Sequence, residues 1–185
     1  MVSINRSLRL ILVICSVLCL CACPYESEFP LSKCSEATID KQLLGQWKLE
    51  AKKGEQAGVI MIHRFNDHEY LITAKGENES TAMLMRAFGT IIEGQTFLNV
   101  QEISKPGAKK HPWNFVNYSV SEDKLVYKIV EEDLFEKKSF TSPEALYTFI
   151  KENLNKKELY DQDDEKTLHR IIPQSDSPGA ESKSP

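Results

Sequence analysis

Strand-like runs separated by short turns constrain the fold of this chain more than any other feature of its sequence. They recur about every 10–14 residues between Leu44 and Val130, and Asn66-Asp67-His68 between two of them is typical of a tight hairpin. Glu93-Gly94 marks a further turn. This rhythm predicts an antiparallel meander, with strands near 44–49, 59–65, 69–74, 81–92, 96–103, 113–120 and 124–130.

One helix is predicted late in the chain. Ser142 and Pro143 are typical of a helix start, and apolar residues then recur at i, i+3, i+4 and i+8, namely Leu146, Phe149, Ile150 and Leu154. A last run at 167–172 returns as a strand. The sequence therefore predicts a mainly β fold, a single antiparallel up-and-down β-barrel of about eight strands with one C-terminal helix near 143–154.

The N-terminus has the layout of an export signal. Arg6 and Arg9 precede thirteen uncharged residues, 10–22. A helix of that length rises about 20 Å, which is short of the roughly 30 Å hydrocarbon core of a bilayer. We therefore predict a signal peptide at 1–22 rather than a membrane span.

The end of that segment, Leu20-Cys21-Ala22-Cys23, resembles the lipobox of bacterial lipoproteins, in which the last cysteine receives a diacylglycerol thioether and becomes the new N-terminus. The resemblance implies a cell-envelope lipoprotein held at the membrane by a lipid on Cys23. Pro24 is not the Asp that retains such proteins at the inner membrane, which favours the outer membrane.

Two alternatives remain open for Cys23. Ordinary secretion with cleavage near Ala22 would leave Cys23 and Cys34 free to form a disulfide, and an uncleaved segment would itself serve as the anchor. Cys15, Cys19 and Cys21 lie within the apolar run and act there as small apolar residues.

The segments flanking the domain are poor in apolar periodicity. Residues 23–40 are predicted to form a flexible tether and residues 173–185 a disordered tail, which leaves a domain at 41–172. Loss of the signal peptide would leave 21 basic and 27 acidic residues, a net charge of −6. This balance, without a basic stripe, predicts no nucleic-acid partner.

No residue set indicates a catalytic or metal site. His63 and His68 flank a hairpin, but no further His or Cys is spaced to complete a zinc site. The acidic run 161–165 lacks the glycine of a calcium loop, and Ile172 stands where the final glutamate should be. The protein is predicted not to be an enzyme and to need no cofactor.

Gly45-Gln46-Trp47, at the first strand, resembles the G-x-W that opens lipocalin-type barrels. In those proteins the Trp closes the barrel floor and often packs beneath an Arg from near the chain's end, and Arg170 is the position that offers a similar partner. Lipocalins carry eight strands before the helix, whereas this sequence has about seven. Residues 28–172 as a whole resemble small bacterial lipoproteins with such a calycin-type domain.

The resemblance implies a barrel that binds a small apolar molecule or a lipid, and Met83, Met85 and Phe88 are the predicted lining. The alternative is a filled barrel that serves as an envelope interaction or structural protein through an outer face or the helix. A cavity of several hundred Å³ open to solvent would favour the first, and an exposed apolar patch the second.

Overall fold

The computed structural model describes residues 24–49, 57–104, 111–136, 138–160 and 165–172. Eight antiparallel strands close into one barrel in sequence order, with β8 pairing back onto β1. The strands are β1 (Gly45–Leu49), β2 (Gly58–Arg64), β3 (Tyr70–Gly76), β4 (Met83–Ile92), β5 (Gln95–Glu102), β6 (Asn114–Val120), β7 (Lys124–Ile129) and β8 (Lys166–Arg170). The predicted fold class is confirmed.

The predicted turns set the register of the hairpins. Glu93 and Gly94 join β4 to β5 with φ of 48° and 80°, so both residues adopt the left-handed conformation of a two-residue hairpin turn. Ile92 therefore pairs with Gln95, and the ladder runs from there to Met85 and Glu102. This is the longest pairing in the barrel.

The barrel has two ends of different construction. The end that we call the floor is crossed by Asp40–Leu44, which includes a 3-10 turn at Lys41–Leu43 and leads directly into β1. The short turns β2–β3, β4–β5 and β6–β7 lie at the floor. The opposite end, which we call the mouth, is where β1, β3, β5 and β7 end and where β2, β4, β6 and β8 begin.

Strand alternation separates two hydrophobic cores. One fills the barrel interior and contains Leu43, Trp47, Ile62, Tyr70, Ile72, Ala87, Leu98, Tyr118, Leu125 and Leu168. The other covers the outer face of β4–β6 and contains Phe88, Ile92, Phe97 and Phe115 from the barrel. These central strands are therefore buried on both faces, which explains the nearly continuous apolar sequence of β4.

Helix α1 (Pro143–Asn153) covers part of this outer core. The Ser142 hydroxyl accepts a hydrogen bond from the amide of Ala145 at 3.2 Å, and Pro143 occupies the first turn. Leu146 and Ile150 are fully buried. The predicted apolar stripe is the face that packs on the barrel.

The prediction of a flexible tether is wrong for residues 24–40, which we call the strap. The strap runs along the outside of the barrel from mouth to floor, and Ser27, Leu31 and Ala37 in it are buried. The amide of Leu31 donates to the Asn99 side chain at 2.6 Å, and Ser32 and Thr90 share a hydrogen bond of 2.6 Å. Its apolar residues show no period because an irregular backbone follows the curved barrel surface.

Candidate functional site

The floor of the barrel is sealed around Trp47. This side chain is fully buried, and its indole nitrogen donates to the backbone oxygen of Leu43 at 2.9 Å. The Arg170 guanidinium carbon lies 4.1 Å from the centre of the Trp47 ring, and Arg170 also donates to the backbone oxygens of Leu44 and Glu122, each at 2.8 Å. One side chain thereby joins β8 to the floor segment and to the β6–β7 turn.

Gly45 makes this arrangement sterically feasible. Its φ is 125°, a backbone conformation that residues with a side chain rarely adopt. A Cβ placed there would lie 3.0 Å from Nη1 of Arg170. The two G-x-W residues Gly45 and Trp47 and their predicted partner Arg170 are thus brought together at the floor.

A hydrogen-bonded group of two tyrosines and one carboxylate closes the floor beside Trp47. The Tyr70 hydroxyl accepts from the amide of Asp40 at 2.6 Å, and the Tyr118 hydroxyl donates to the Asp40 carboxylate at 3.4 Å. Burial raises the pKa of Tyr70 to about 12. Burial also raises the pKa of Tyr118, and the nearby Tyr70 and Asp40 add to that shift. Both phenols are therefore neutral at physiological pH and act as structural donors and acceptors.

An apolar cavity of about 170 Å³ lies inside the barrel above this floor. Hydrophobic side chains from seven strands form its wall, namely Ile60, Ile62, Ile72, Met85, Leu98, Val100, Val116, Tyr118, Leu125, Tyr127 and Leu168. The five of these that are half-exposed, Ile60, Met85, Val100, Val116 and Tyr127, all lie in the mouth-side part of their strands. The cavity is therefore deepest at the floor and approached from the mouth.

Of the three residues predicted to line a ligand site, only Met85 borders this cavity. Met83 is 44% exposed at the mouth end of β4. Phe88 points to the other face of the sheet, where its ring meets Trp113 edge-on at 5.4 Å between centroids. The prediction is wrong for Phe88 because residues 85 and 88 differ by an odd number and so face opposite sides of the strand.

The remaining lining residues were missed by sequence reasoning, although a signal for them existed. Once Met85 is placed in the interior, the alternation of side chains along β4 places Ala87 there as well. Ala87 pairs with Val100 on β5, and Leu98 on the same face of β5 pairs with Val116 on β6, so the register places these residues in the interior too. That register depends on which strands pair with one another, and the sequence of one strand does not reveal its partners.

A second, larger concavity of about 780 Å³ lies on the outside of the barrel. Its wall combines the strap residues Leu31–Asp40 with the β4–β5 hairpin and the first turns of α1, including Glu144 and Tyr147. The wall is mixed in character, with charged Lys33 and Glu36 beside apolar residues. It lies near the floor, away from the mouth.

The structure places Cys34 at the floor side of the strap. Burial and the neighbouring Glu69 carboxylate raise the pKa of its thiol, which makes it a poor nucleophile at neutral pH. Within the part of the chain that the structure describes, Cys34 forms no disulfide. The predicted signal peptide, the lipobox Leu20–Cys23 and the tail 173–185 lie outside the described residues, as do residues 161–164 of the acidic run.

The two histidines of the β2–β3 hairpin have different surroundings. His63 is exposed on β2, whereas the Nδ1 atom of His68 is 2.7 Å from the backbone oxygen of Ala37 in the strap. Within the described ranges, no group of three or more His, Cys, Asp or Glu side chains is arranged to hold a metal ion. Over the same ranges, no helix has both the length and the apolar character to cross a membrane.

Fold and site together define a closed eight-stranded antiparallel barrel with a Trp–Arg floor and an apolar interior cavity, an architecture consistent with a lipocalin-like barrel. No family model, curated protein or solved structure matches the chain. The geometry of the barrel and the sequence of its N-terminus are thus the basis for any functional conclusion.

Proposed function

We propose that this protein is a cell-envelope lipoprotein, anchored through Cys23, whose barrel binds the slim apolar part of a lipid or of a small apolar molecule. The observation that carries the binding proposal is the cavity of about 170 Å³. Its wall is formed by apolar side chains and by the two aromatic rings of Tyr118 and Tyr127. Apolar cavities of roughly 150 Å³ bind molecules the size of benzene.

The size of the cavity limits the ligand. Sites for drug-sized molecules occupy about 300–1,000 Å³, so the interior accommodates one ring or a segment of one acyl chain rather than a bulky ligand. Burial of such a group gains about 0.8 kcal/mol for each methylene removed from water. The polar end of the ligand would remain toward the mouth, where the lining residues are half-exposed.

Filling the cavity from one wall tests the binding proposal. Val116→Phe places a ring into the space, whereas Val59→Phe adds the same group on the outer, 39% exposed face of β2 and serves as the matched control. The probe is parinaric acid, a single acyl chain that fluoresces when buried. We expect Val116→Phe to weaken its binding on the order of tenfold and Val59→Phe to leave it unchanged, with both variants folded by circular dichroism.

Equal affinities in the two variants, or no binding by the parent chain, would contradict the proposed ligand site. Native mass spectrometry of the parent chain purified from envelopes provides an independent measurement. A lipid adduct that is present in the parent and lost in Val116→Phe is the expected result.

The anchoring proposal is supported by where the strap begins and where Cys34 lies. Pro24, the residue that follows Cys23 in the sequence, pairs with Glu131 at the mouth. Cys34 lies beside Glu69 at the floor, and a disulfide requires Cα atoms within about 7 Å. Pairing Cys23 with Cys34 would therefore require the strap to leave the barrel.

Substitution of Cys23 tests the anchor. We expect Cys23→Ser to abolish acyl labelling and release the exported chain from membranes, while the control Cys34→Ser keeps both properties. A Cys23→Ser protein that is still acylated, or that stays as firmly in the membrane fraction as the parent, would refute the proposal.

The alternative function, contact with another envelope protein, is favoured by the outer concavity of about 780 Å³ between the strap, the β4–β5 hairpin and α1. Tyr147→Ala removes an aromatic side chain from its wall. Loss of a cross-linked envelope partner in this variant, with parinaric acid binding unchanged, would support the alternative.

A further inference from the structure

We propose that the barrel stands with its mouth against the lipid bilayer, so that its cavity receives an acyl chain directly from a membrane lipid. This inference rests on the proposed acylation of Cys23 and adds to it the orientation of the domain and the source of its ligand. It is carried by the course of the strap.

The strap begins at the mouth. Pro24 pairs with Glu131 and the Tyr25 amide donates to the backbone oxygen of Val130 at 2.9 Å, just beyond the mouth end of β7. Ser27 and Trp113 exchange two backbone hydrogen bonds of 2.9 and 2.8 Å, next to the first residue of β6. The chain therefore leaves the barrel at its mouth in the direction of residue 23.

This attachment is too well packed to act as a swivel. The Tyr25 ring stacks on Phe135 with 3.8 Å between centroids and 14° between planes, and Ser27 is 4% exposed. The proline ring fixes φ of Pro24 itself. Only one peptide link separates this fixed point from the cysteine that would carry the lipid, so the mouth end is held at the headgroups without a spacer.

Surface hydrophobicity does not by itself select an orientation, because exposed apolar residues occur at both ends. Val59, Met83 and Ile103 are exposed at the mouth, whereas Phe65, Ile91 and Ile172 are exposed at the floor end. The two ends of the barrel differ instead in their relation to the interior cavity. The half-exposed lining residues lie toward the mouth, whereas the floor is closed by Leu43, Trp47 and Arg170.

Two positions on one strand report the orientation. Met83 and Ile91 are 44% and 66% exposed at opposite ends of β4. They are eight residue steps apart along the strand, about 27 Å, or about 20 Å along the barrel axis at the usual strand tilt. Met83→Cys and Ile91→Cys, each combined with Cys34→Ser, carry the same fluorophore, and vesicles of phosphatidylethanolamine and phosphatidylglycerol contain a headgroup-linked quencher.

The measurement is made with two anchors. In the first, the exported full chain is reconstituted as purified, and its intact mass reports whether Cys23 carries the lipid. In the second, an azide-bearing residue replaces Cys23 and is coupled to an alkyne-headgroup lipid, so that the anchor has the same position whether or not natural acylation occurs.

We expect the fluorophore at Met83 to be quenched on the order of fivefold more strongly than that at Ile91 with either anchor, given their axial separation. Equal quenching, or stronger quenching at Ile91, would overturn the orientation. A missing lipid on Cys23 would refute the proposed anchor alone, because the azide-coupled protein still measures the orientation.

Discussion

Asn99 is one of the residues that fasten the strap to the barrel, and its replacement should loosen the strap around Leu31. The Asn99 side chain is fully buried. Its Oδ1 accepts from the Leu31 amide at 2.6 Å, while its Nδ2 donates to the Phe88 carbonyl at 3.2 Å and to the Thr90 hydroxyl at 2.8 Å. One amide therefore satisfies groups on the strap and on β4 at once.

The magnitude follows from the groups that Asn99→Leu would leave without partners. The buried Leu31 amide loses its acceptor, which costs about 1–3 kcal/mol, and loss of the bond to the Phe88 carbonyl costs about 1 kcal/mol more. We expect the free energy of unfolding to fall by about 3 kcal/mol. For a domain of this size the midpoint of thermal unfolding would fall by about 10 °C.

Asn117→Leu is the matched control for this measurement. Asn117 lies on the neighbouring strand β6, is only half-buried, and makes longer hydrogen bonds of 3.3 and 3.4 Å. We expect it to cost no more than about 1 kcal/mol.

Urea unfolding gives the free energies, and hydrogen exchange at the Leu31 amide reports the strap directly. The reasoning is refuted if the two variants unfold with the same midpoint and slope, or if Leu31 stays as protected in Asn99→Leu as in the parent.

Three further predictions concern the floor. Arg170→Lys should destabilise the protein by about 1–3 kcal/mol in urea, because an ammonium cannot reach several carbonyls while covering Trp47; stability equal to the parent would contradict this. Gly45→Ala should lower the stability more than Gly94→Ala, because both residues have positive φ but a Cβ at Gly94 meets nothing within 4 Å. Thermal unfolding compares the two variants, and equal losses of stability would exclude a role for the Arg170 contact. The pKa of Tyr70 is raised to about 12, so the unfolded chain loses this proton near pH 10 while the folded chain keeps it, and the free energy of unfolding should fall between pH 10 and about 12. Tyr70→Phe should show a shallower fall over that window. Parallel curves of unfolding free energy against pH for the two proteins would count against the assignment.

Much of the fold could be predicted from the sequence because its elements are specified locally. Turn residues such as Glu93-Gly94 interrupt runs of strand formers, and the stripe from Leu146 to Ile150 repeats at the helical period. The predicted helix start at Ser142 and Pro143 is confirmed by the capping hydrogen bond. Such signals act within a few residues, so they can be recognised without knowing what packs against them.

The interior of the site was less predictable because it depends on which face of each strand points inward. Met85 and Phe88 are both apolar and lie on the same strand, yet one borders the cavity and the other belongs to the outer core. Burial on both faces of β4 removes the alternation of apolar and polar residues that would distinguish them.

The sequence by itself determined the eight strands and the helix, and it singled out Gly45, Trp47 and Arg170, which meet at the floor. The export signal stays a prediction. Only the tertiary structure decided the course of residues 24–40 and the size of the cavity. The strap is held by contacts between residues far apart in sequence, such as Leu31 with Asn99 and Tyr25 with Val130, and no local pattern encodes them. The cavity volume is likewise a property of closed packing, since it depends on side chains from seven strands meeting around one axis.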